Sequence, residues 1–226
     1  MKREILITAD GSSTIHLPDW NEQYHSKHGA IQEAQHVFIK KGLDYYLEQQ
    51  EIKNLSILEI GFGTGLNAFI TLLKAESLQQ HINYIGVEAY PVAKSEIELL
   101  NYVNELNAST FETHLNRMHE VDWEKTTSIS TYFNLLKRKQ FFQEIADVDA
   151  FNIIYFDAFG ARNQPELWTE EIFKKMFSAL KSQGILVTYS AKGSVRRALQ
   201  SVGFTVERLD GPPGKREMLR ATKTIV

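Results

Sequence analysis

The sequence predicts an α/β protein: a mostly parallel, doubly wound, Rossmann-like sheet with an antiparallel C-terminal edge strand, preceded by a β-hairpin and a helix. Three observations carry this prediction. From residue 55 onward short apolar strands alternate with stretches of helical periodicity, the pattern that builds a parallel sheet flanked by helices. The first of these strands runs into a glycine turn, Gly61-Phe62-Gly63-Thr64-Gly65, which opens a helix. Phe151–Phe156, reading FNIIYF, is a continuous apolar run, as expected of a central strand covered on both faces.

The elements follow in order. Residues 4–8 and 14–17 alternate in polarity about an Ala9-Asp10-Gly11-Ser12 turn and read as a hairpin that Pro18 ends. Residues 29–49 place Ile31, Ala34, Val37, Phe38 and Leu43 at helical spacing, with a break expected at Gly42. Residues 1–50 are therefore expected to be an N-terminal extension and 51–226 a cofactor-binding domain. Within the latter the expected strands are 55–60, 84–87, Phe151–Phe156, 184–190, 205–209 and 216–222. Helices are expected from the glycine turn to about Ala75 and over 92–106, 169–180 (capped by Thr169) and 194–202. The stretch 107–145 yields only one strand, near 130–135.

A chain of 226 residues that is 43% hydrophobic can bury a substantial core. Its apolar runs fall far short of the roughly 20 residues that span a bilayer, and its first residues, MKREILITADG, lack the apolar region of a signal peptide. A soluble, cytoplasmic protein is expected. The absence of cysteine removes disulfides, thiolate metal sites and any cysteine nucleophile, and no metal site is predicted. Net charge is −3, but the stretch from Lys192 onward holds eight basic and three acidic residues, either a solvated face or a polyanion surface.

Glycines between a strand and a helix let the backbone approach a ligand closely and aim helix N–H groups at it. The spacing here is G-x-G-x-G, not the G-x-G-x-x-G of a dinucleotide site, and Glu59 stands two positions before the first glycine. A carboxylate there disfavours a pyrophosphate and suits a cationic ligand, which points to S-adenosylmethionine with its sulfonium and amino groups. Glu59, Gly61, Phe62, Gly63, Thr64, Gly65 and Asn67 are the candidate cofactor contacts, within a class I methyltransferase fold. Glu88, 23 residues after Gly65 at the end of the next strand, is placed to accept hydrogen bonds from ribose hydroxyls or to be a solvated strand end.

The central strand ends at Asp157, which should face the same crevice. It is a candidate catalytic and cofactor-side carboxylate that holds an amine nucleophile towards the methyl donor and accepts its proton; its alternative role is a buried cap for loop amides. Phe159, Pro165 and Trp168 either line a pocket for a flat group or pack the core. Without cysteine, methylation of a pyrimidine ring carbon through a covalent adduct is disfavoured, leaving nitrogen or oxygen acceptors. The Asn/Asp-Pro-Pro-aromatic motif that serves exocyclic base amines is also missing.

Several segments together resemble one family, the methyltransferase domain of the tRNA 5-methylaminomethyl-2-thiouridine biosynthesis protein and its stand-alone relatives. They are Tyr24-His25-Ser26 with Gly29, Glu33 and Val37-Phe38; residues 59–67; Asp157-Ala158-Phe159 with Pro165 and Trp168; Val195-Arg196-Arg197 with Gly203-Phe204; and Lys215-Arg216-Glu217-Met218-Leu219. The resemblance implies N-methylation of the 5-aminomethyl group of the tRNA wobble uridine, with S-adenosylmethionine as cofactor and the tRNA anticodon loop as partner. It makes Glu59, Gly61, Gly63 and Glu88 cofactor contacts and Asp157 the acceptor-orienting residue. Two-domain members carry a flavin-dependent oxidase after the methyltransferase; the expectation here is a stand-alone methyltransferase without it. Ala161 stands where many relatives have proline, and no acidic residue for the adenine is evident in residues 134–139.

In that frame Arg196, Arg197, Lys215 and Arg216 are candidate phosphate contacts, with residues 137–139 as a second patch. The segment 24–33 is either a lid over the cofactor or a structural link to the sheet. The rival functions are an aminopropyl transferase or small-amine methyltransferase, and a cofactor-binding interaction protein that has lost catalysis.

Overall fold

The computed structural model describes residues 2–224. Strands β1 (Glu4–Ile7), β2 (Ser13–Leu17) and β3 (Glu22–Gln23) form a small antiparallel sheet in which Ile5 opposes Ile15. The expected hairpin forms, and its turn does a second job. Asp10 Oδ1 accepts hydrogen bonds from Thr8 Oγ1 (2.7 Å) and Ser12 N (3.1 Å), while Asp10 Oδ2 accepts from Gln32 N (2.9 Å). The hairpin thereby caps the first turn of the next helix, whose N-terminal N–H groups have no partner within the helix.

That helix is continuous over residues 30–49, with a π-helical segment Gln35–Asp44 between α-helical Ala30–Ala34 and Tyr45–Gln49. The break expected at Gly42 does not occur. A Cβ there would stand 3.1 Å from Val187 Cγ2 and 3.4 Å from Tyr155 Cε1, so Gly42 lets the helix pack closely on the main sheet.

The main sheet contains β4 (Asn54–Ile60), β5 (His81–Val87), β6 (Thr127–Ser128), β7 (Phe133–Arg138), β8 (Phe151–Phe156), β9 (Leu180–Thr188), β10 (Thr205–Asp210) and β11 (Glu217–Thr222). Their order is β10-β11-β9-β8-β4-β5-β7-β6. Strands β7, β5, β4, β8 and β9 run parallel, and the chain reverses its direction of travel across the sheet between β4 and β8. The C-terminal strand pair forms as expected, but β11 inserts between β9 and β10, antiparallel to both, so that β10 is outermost.

Register sets the level at which each strand ends. Ile60 pairs with Val87 on one side and with Phe156 on the other, so Gly61, Glu88 and Asp157 leave the sheet together. Along β8, Ile153 and Tyr155 enter the core beneath helices 30–49 and Leu66–Leu78, whereas Ile154 and Phe156 enter the core beneath helices Glu170–Ala179 and Gly193–Ser201. Alternation on a strand buried on both faces produces the unbroken apolar run.

Two expectations are corrected. Residues 92–106 are not one helix but two single turns, Lys94–Ile97 and Tyr102–Glu105. Between them Asn101 is pulled to the hairpin, donating from its backbone N to Ser13 Oγ (2.9 Å) and from Nδ2 to Gly11 O (2.9 Å), and accepting at Oδ1 from Ser13 N (2.7 Å). The segment 107–145 contains a helix, Glu112–Glu120, that buries only Leu115 and Met118, and its strand lies at Phe133–Arg138, three residues beyond the expected position. Among the described residues no helix is long and apolar enough to cross a membrane.

Gly86 on β5 lies against Phe62, and a Cβ there would meet Phe62 Cδ2 at 2.3 Å and Cγ at 3.0 Å. Gly86→Ala is expected to cost about 1–3 kcal/mol by overpacking, and to weaken cofactor binding because the displaced ring belongs to the glycine turn. Chemical denaturation and a binding isotherm check both.

Candidate active site

The turn after β4 is built by three glycines at positive φ: Gly61 at 90°, Gly63 at 51° and Gly65 at 75°. The N–H groups of Gly61 and Phe62 both donate to Val87 O at 3.0 Å, fastening the turn to β5. A Cβ on Gly61 would lie 2.8 Å from Asp157 O, and one on Gly63 3.1 Å from the Tyr24 ring. These two glycines face a cleft of about 940 Å³. Gly65 instead caps helix Leu66–Leu78, and a Cβ on it would press on His119. The Phe62 ring is buried, edge-on to His119 and Trp123, and Thr64 Oγ1 bonds to Tyr102 OH at 2.9 Å. The side chains of Phe62 and Thr64 anchor the turn, and both residues also line the cleft.

One amide joins two of the three acidic positions singled out in the sequence. Asn67 Nδ2 donates to Glu59 Oε1 and to Asp157 Oδ2, each at 2.9 Å. Glu59 is 1% exposed, below the cleft floor, and burial pushes its carboxyl well above the usual range. Asp157 reaches the cleft. Burial, reinforced by Glu33, pushes it up to about 7, against the opposing pull of Asn67 and Lys215. Asn67 Oδ1 and Glu59 Oε2 are buried with no hydrogen-bond partner among the described residues. Glu88 accepts from Gly63 N (3.0 Å) and Tyr90 N (2.9 Å), which holds its carboxylate at the cleft edge.

On the opposite side Phe159 meets Trp20 (5.8 Å between centroids) and Tyr24 (5.0 Å), edge to face in both pairs. All three line the cleft. Trp168 does not: its ring packs on Phe156 and Tyr189, and its Nε1 donates to Phe159 O at 2.8 Å, supporting the loop from behind. The N-terminal segment supplies a wall that the sequence left open between lid and link. Glu22, fixed by Asn163 Nδ2 at 2.9 Å, stands there with Tyr24, His28 and Glu33.

The basic residues divide. Arg197 and Arg216 are exposed and Arg196 is half-buried, all outside the cleft, while Lys192 stands at its rim and was not singled out beforehand. Lys215 lies inside the cleft, ion-paired with Glu33 and over the Tyr189 ring. The second patch at residues 137–139 does not form. Lys137 is 2% exposed, donates to His119 O at 2.8 Å, and is pushed down to about 8 by burial. Arg138 is paired with Asp147 at 2.7 Å.

Where an acidic residue after the third parallel strand was sought, the loop following β7 instead brings Phe141, Phe142 and Gln143 to the cleft. Phe141 faces Tyr90 across 5.9 Å. The misplaced strand concealed this loop.

A family profile described as S-adenosyl-L-methionine-dependent methyltransferase matches residues 98–224, more than half of the chain. The chain belongs to that family. The tRNA 5-methylaminomethyl-2-thiouridine biosynthesis bifunctional protein MnmC of Marinomonas sp. (strain MWYL1) is 28% identical over 214 residues, covering 90% of this chain and 31% of that protein. Its counterpart in Pseudoalteromonas translucida (strain TAC 125) is 28% identical over 229 residues, covering 90% and 34%. The methyltransferase thus spans about a third of the length of these curated relatives. Among solved structures, MNMC2 from Aquifex aeolicus superposes with a TM-score of 0.79 at 24% identity, covering all of this chain and 71% of that one. A spermidine synthase from Thermotoga maritima shares the fold at a TM-score of 0.54 and 15% identity, covering 95% and 70%.

The cleft suits S-adenosylmethionine. A Cβ would clash at Gly61 and crowd the Tyr24 ring at Gly63, the buried Asn67 Oδ1 has an unused acceptor for an ammonium N–H, and Glu88 presents a carboxylate at the end of β5. Because burial pushes Asp157 up to about 7 from an ordinary value of 3.8, the folded state holds a proton that the unfolded state has already lost. Stability should therefore fall as pH rises from about 4 to about 7. Asp157→Asn should flatten that decline, as measured by thermal unfolding across the same range.

Proposed function

We propose that this methyltransferase methylates the primary amine of 5-aminomethyluridine, with or without 2-thiolation, at wobble position 34 of tRNA, giving the 5-methylaminomethyl nucleoside. The observation that carries the reading is Asp157: an acceptor-side carboxylate held by Asn67 Nδ2 at 2.9 Å, opposite an aromatic wall, in the cleft that the glycine turn opens. An amine must be unprotonated to attack, and a carboxylate with a proton affinity near neutrality is suited to receive its proton. The name of the relatives, a 5-methylaminomethyl-2-thiouridine biosynthesis protein, specifies a nucleoside of this kind.

S-adenosylmethionine, when bound, supplies an electrophilic methyl group on a sulfonium sulfur. Gly61, Gly63, Asn67 and Glu88 would hold it, with Glu59 anchoring Asn67 from beneath. Asp157 accepts a hydrogen bond from the amine, turns its lone pair towards the donor and takes up the proton released as the C–N bond forms. Phe159, Trp20 and Tyr24 offer faces and edges to a splayed pyrimidine. Residues 1–50 serve as the acceptor wall of a cofactor domain spanning 51–226. Lys192 at the cleft rim and Arg196, Arg197 and Arg216 outside it are the basic residues we assign to anticodon-loop phosphates. A small polyamine is the second reading, favoured by the carboxylates Glu22, Glu33 and Asp157 in one cleft.

Incubation with radiolabelled S-adenosylmethionine and tRNA from a strain lacking the final methylation should place label in 5-methylaminomethyl nucleosides. Label absent from that nucleoside, or transferred to polyamine instead, would sink the tRNA reading. Asp157→Ala should lower turnover by at least about 100-fold with cofactor binding largely retained. Unchanged turnover would reduce Asp157 to a loop cap. Neutralising Arg196 and Arg197 together should weaken tRNA binding and reduce the slope of log K against log salt by about 1–2, measured by titration at several salt concentrations.

A further inference from the structure

Three side chains that the proposed reaction leaves unused meet beside Asp157, and each comes from a different part of the chain. Glu33, in the first turn of helix 30–49, is 6% exposed. Its Oε2 accepts from Ser26 N at 2.8 Å, and its Oε1 accepts from Lys215 Nζ, 182 residues away. Lys215 belongs to the loop between β10 and β11, and its ammonium sits 3.8 Å from the centre of the Tyr189 ring. Tyr189, immediately after β9, donates its hydroxyl to Ala158 O at 2.8 Å, next to Asp157. The ammonium is thus held between a carboxylate and a ring face, on a ring fixed to the Asp157 loop.

The simplest role for this pair is a staple between the N-terminal helix and the C-terminal loop, to which His36 Nε2 against Asp210 O at 2.7 Å also contributes. A staple does not need to be inside the cleft, yet Glu33, Lys215 and Tyr189 all line it with Asp157. The charged and titratable groups around Asp157 are Glu59 beneath it through Asn67, Glu88 at the end of β5, Glu22 on the N-terminal wall, and Glu33, Lys215 and Tyr189. Of these, Glu33 disfavours a negative charge at Asp157 and Lys215 favours it.

We propose that Glu33 and Lys215 are a positioning pair for Asp157: the lysine favours its ionised form, and the glutamate, by sharing the ammonium, limits how strongly. The division keeps Asp157 able both to take a proton and to exist as carboxylate near neutral pH. Burial and Glu33 push Asp157 up, whereas Asn67 and Lys215 pull it down, which agrees with the arrangement. Lys215 then acts through Asp157 and not through an RNA phosphate. The inference rests on Asp157 being the proton acceptor of the proposed reaction, but the coupling itself can be measured without turnover.

The experiment is a carbon-13 titration of aspartate carboxyls in the full chain without cofactor, with the Asp157 resonance assigned by its loss in Asp157→Asn. Glu33→Gln should lower the Asp157 midpoint by about one unit and Lys215→Met should raise it by about one unit. The double variant should return near the wild-type value. The acid limb of the pH–rate profile should move in the same directions, with the salt dependence of tRNA binding unchanged in Lys215→Met. Midpoints that do not move, or that move the same way in both single variants, overturn the proposal and leave a staple. Should Lys215→Met fail to fold, Glu33→Gln decides alone, and a midpoint that does not fall overturns it. Opposite shifts in a protein that does not methylate aminomethyluridine tRNA would retain the pair and remove the acceptor reading.

Discussion

A single amide nitrogen, Asn67 Nδ2, carries two hydrogen bonds on which the site depends: one to Glu59 and one to Asp157, both at 2.9 Å. Buried carboxylates at this distance repel if both are ionised, and each loses hydration. The amide can stand between them because Ile60 pairs with Phe156 in the sheet, so that β8 delivers Asp157 at the level of Gly61, two residues beyond Glu59 on β4, and Asn67 spans that step. Asn67 comes from the first turn of the helix that the glycine turn starts. Sheet register, turn and helix start therefore converge on one side chain.

The N-terminal extension is a working part of this arrangement. Its hairpin turn caps helix 30–49 through Asp10, its Asn101 contacts interrupt the helix expected over 92–106, and its third strand and following loop face the cleft with Glu22, Tyr24 and His28. Glu33 then ties the extension to Lys215 near the other end of the described chain. The wall of the cleft that holds Glu22, Tyr24, Glu33 and Lys215 is consequently made from segments far apart in sequence, whereas the floor around Gly61, Asn67 and Asp157 is made largely from one strand–turn–helix unit and the two strands beside it.

Residues that the sequence marks as chemically similar end in different positions because burial separates them. Lys137 and Lys215 were both read as phosphate contacts; Lys137 is buried under Trp123, whereas Lys215 is half-buried in the cleft with Glu33 and Tyr189. Phe159 and Trp168 were both pocket candidates; Phe159 lines the cleft, and Trp168 supports its carbonyl from the core. Among the glycines, Gly61 and Gly63 face the cleft while Gly65 caps the helix. Gly42, expected to end a helix, permits it to approach the sheet.

By itself the sequence determined the parts whose signals are local: the alternation of strands and helices, the apolar central strand, the glycine turn, and the carboxylates Glu88 and Asp157 at strand ends. Hydrophobic period and glycine conformation act over a few residues and can be read there. Only the tertiary structure decided the insertion of β11 between β9 and β10, the Asn67 bridge, the aromatic wall from Trp20 and Tyr24, and the pairing of Lys215 with Glu33. Each of these depends on which distant segments share space and on how much water remains between them. Strand register and burial set both, and neither leaves a periodic trace along the chain.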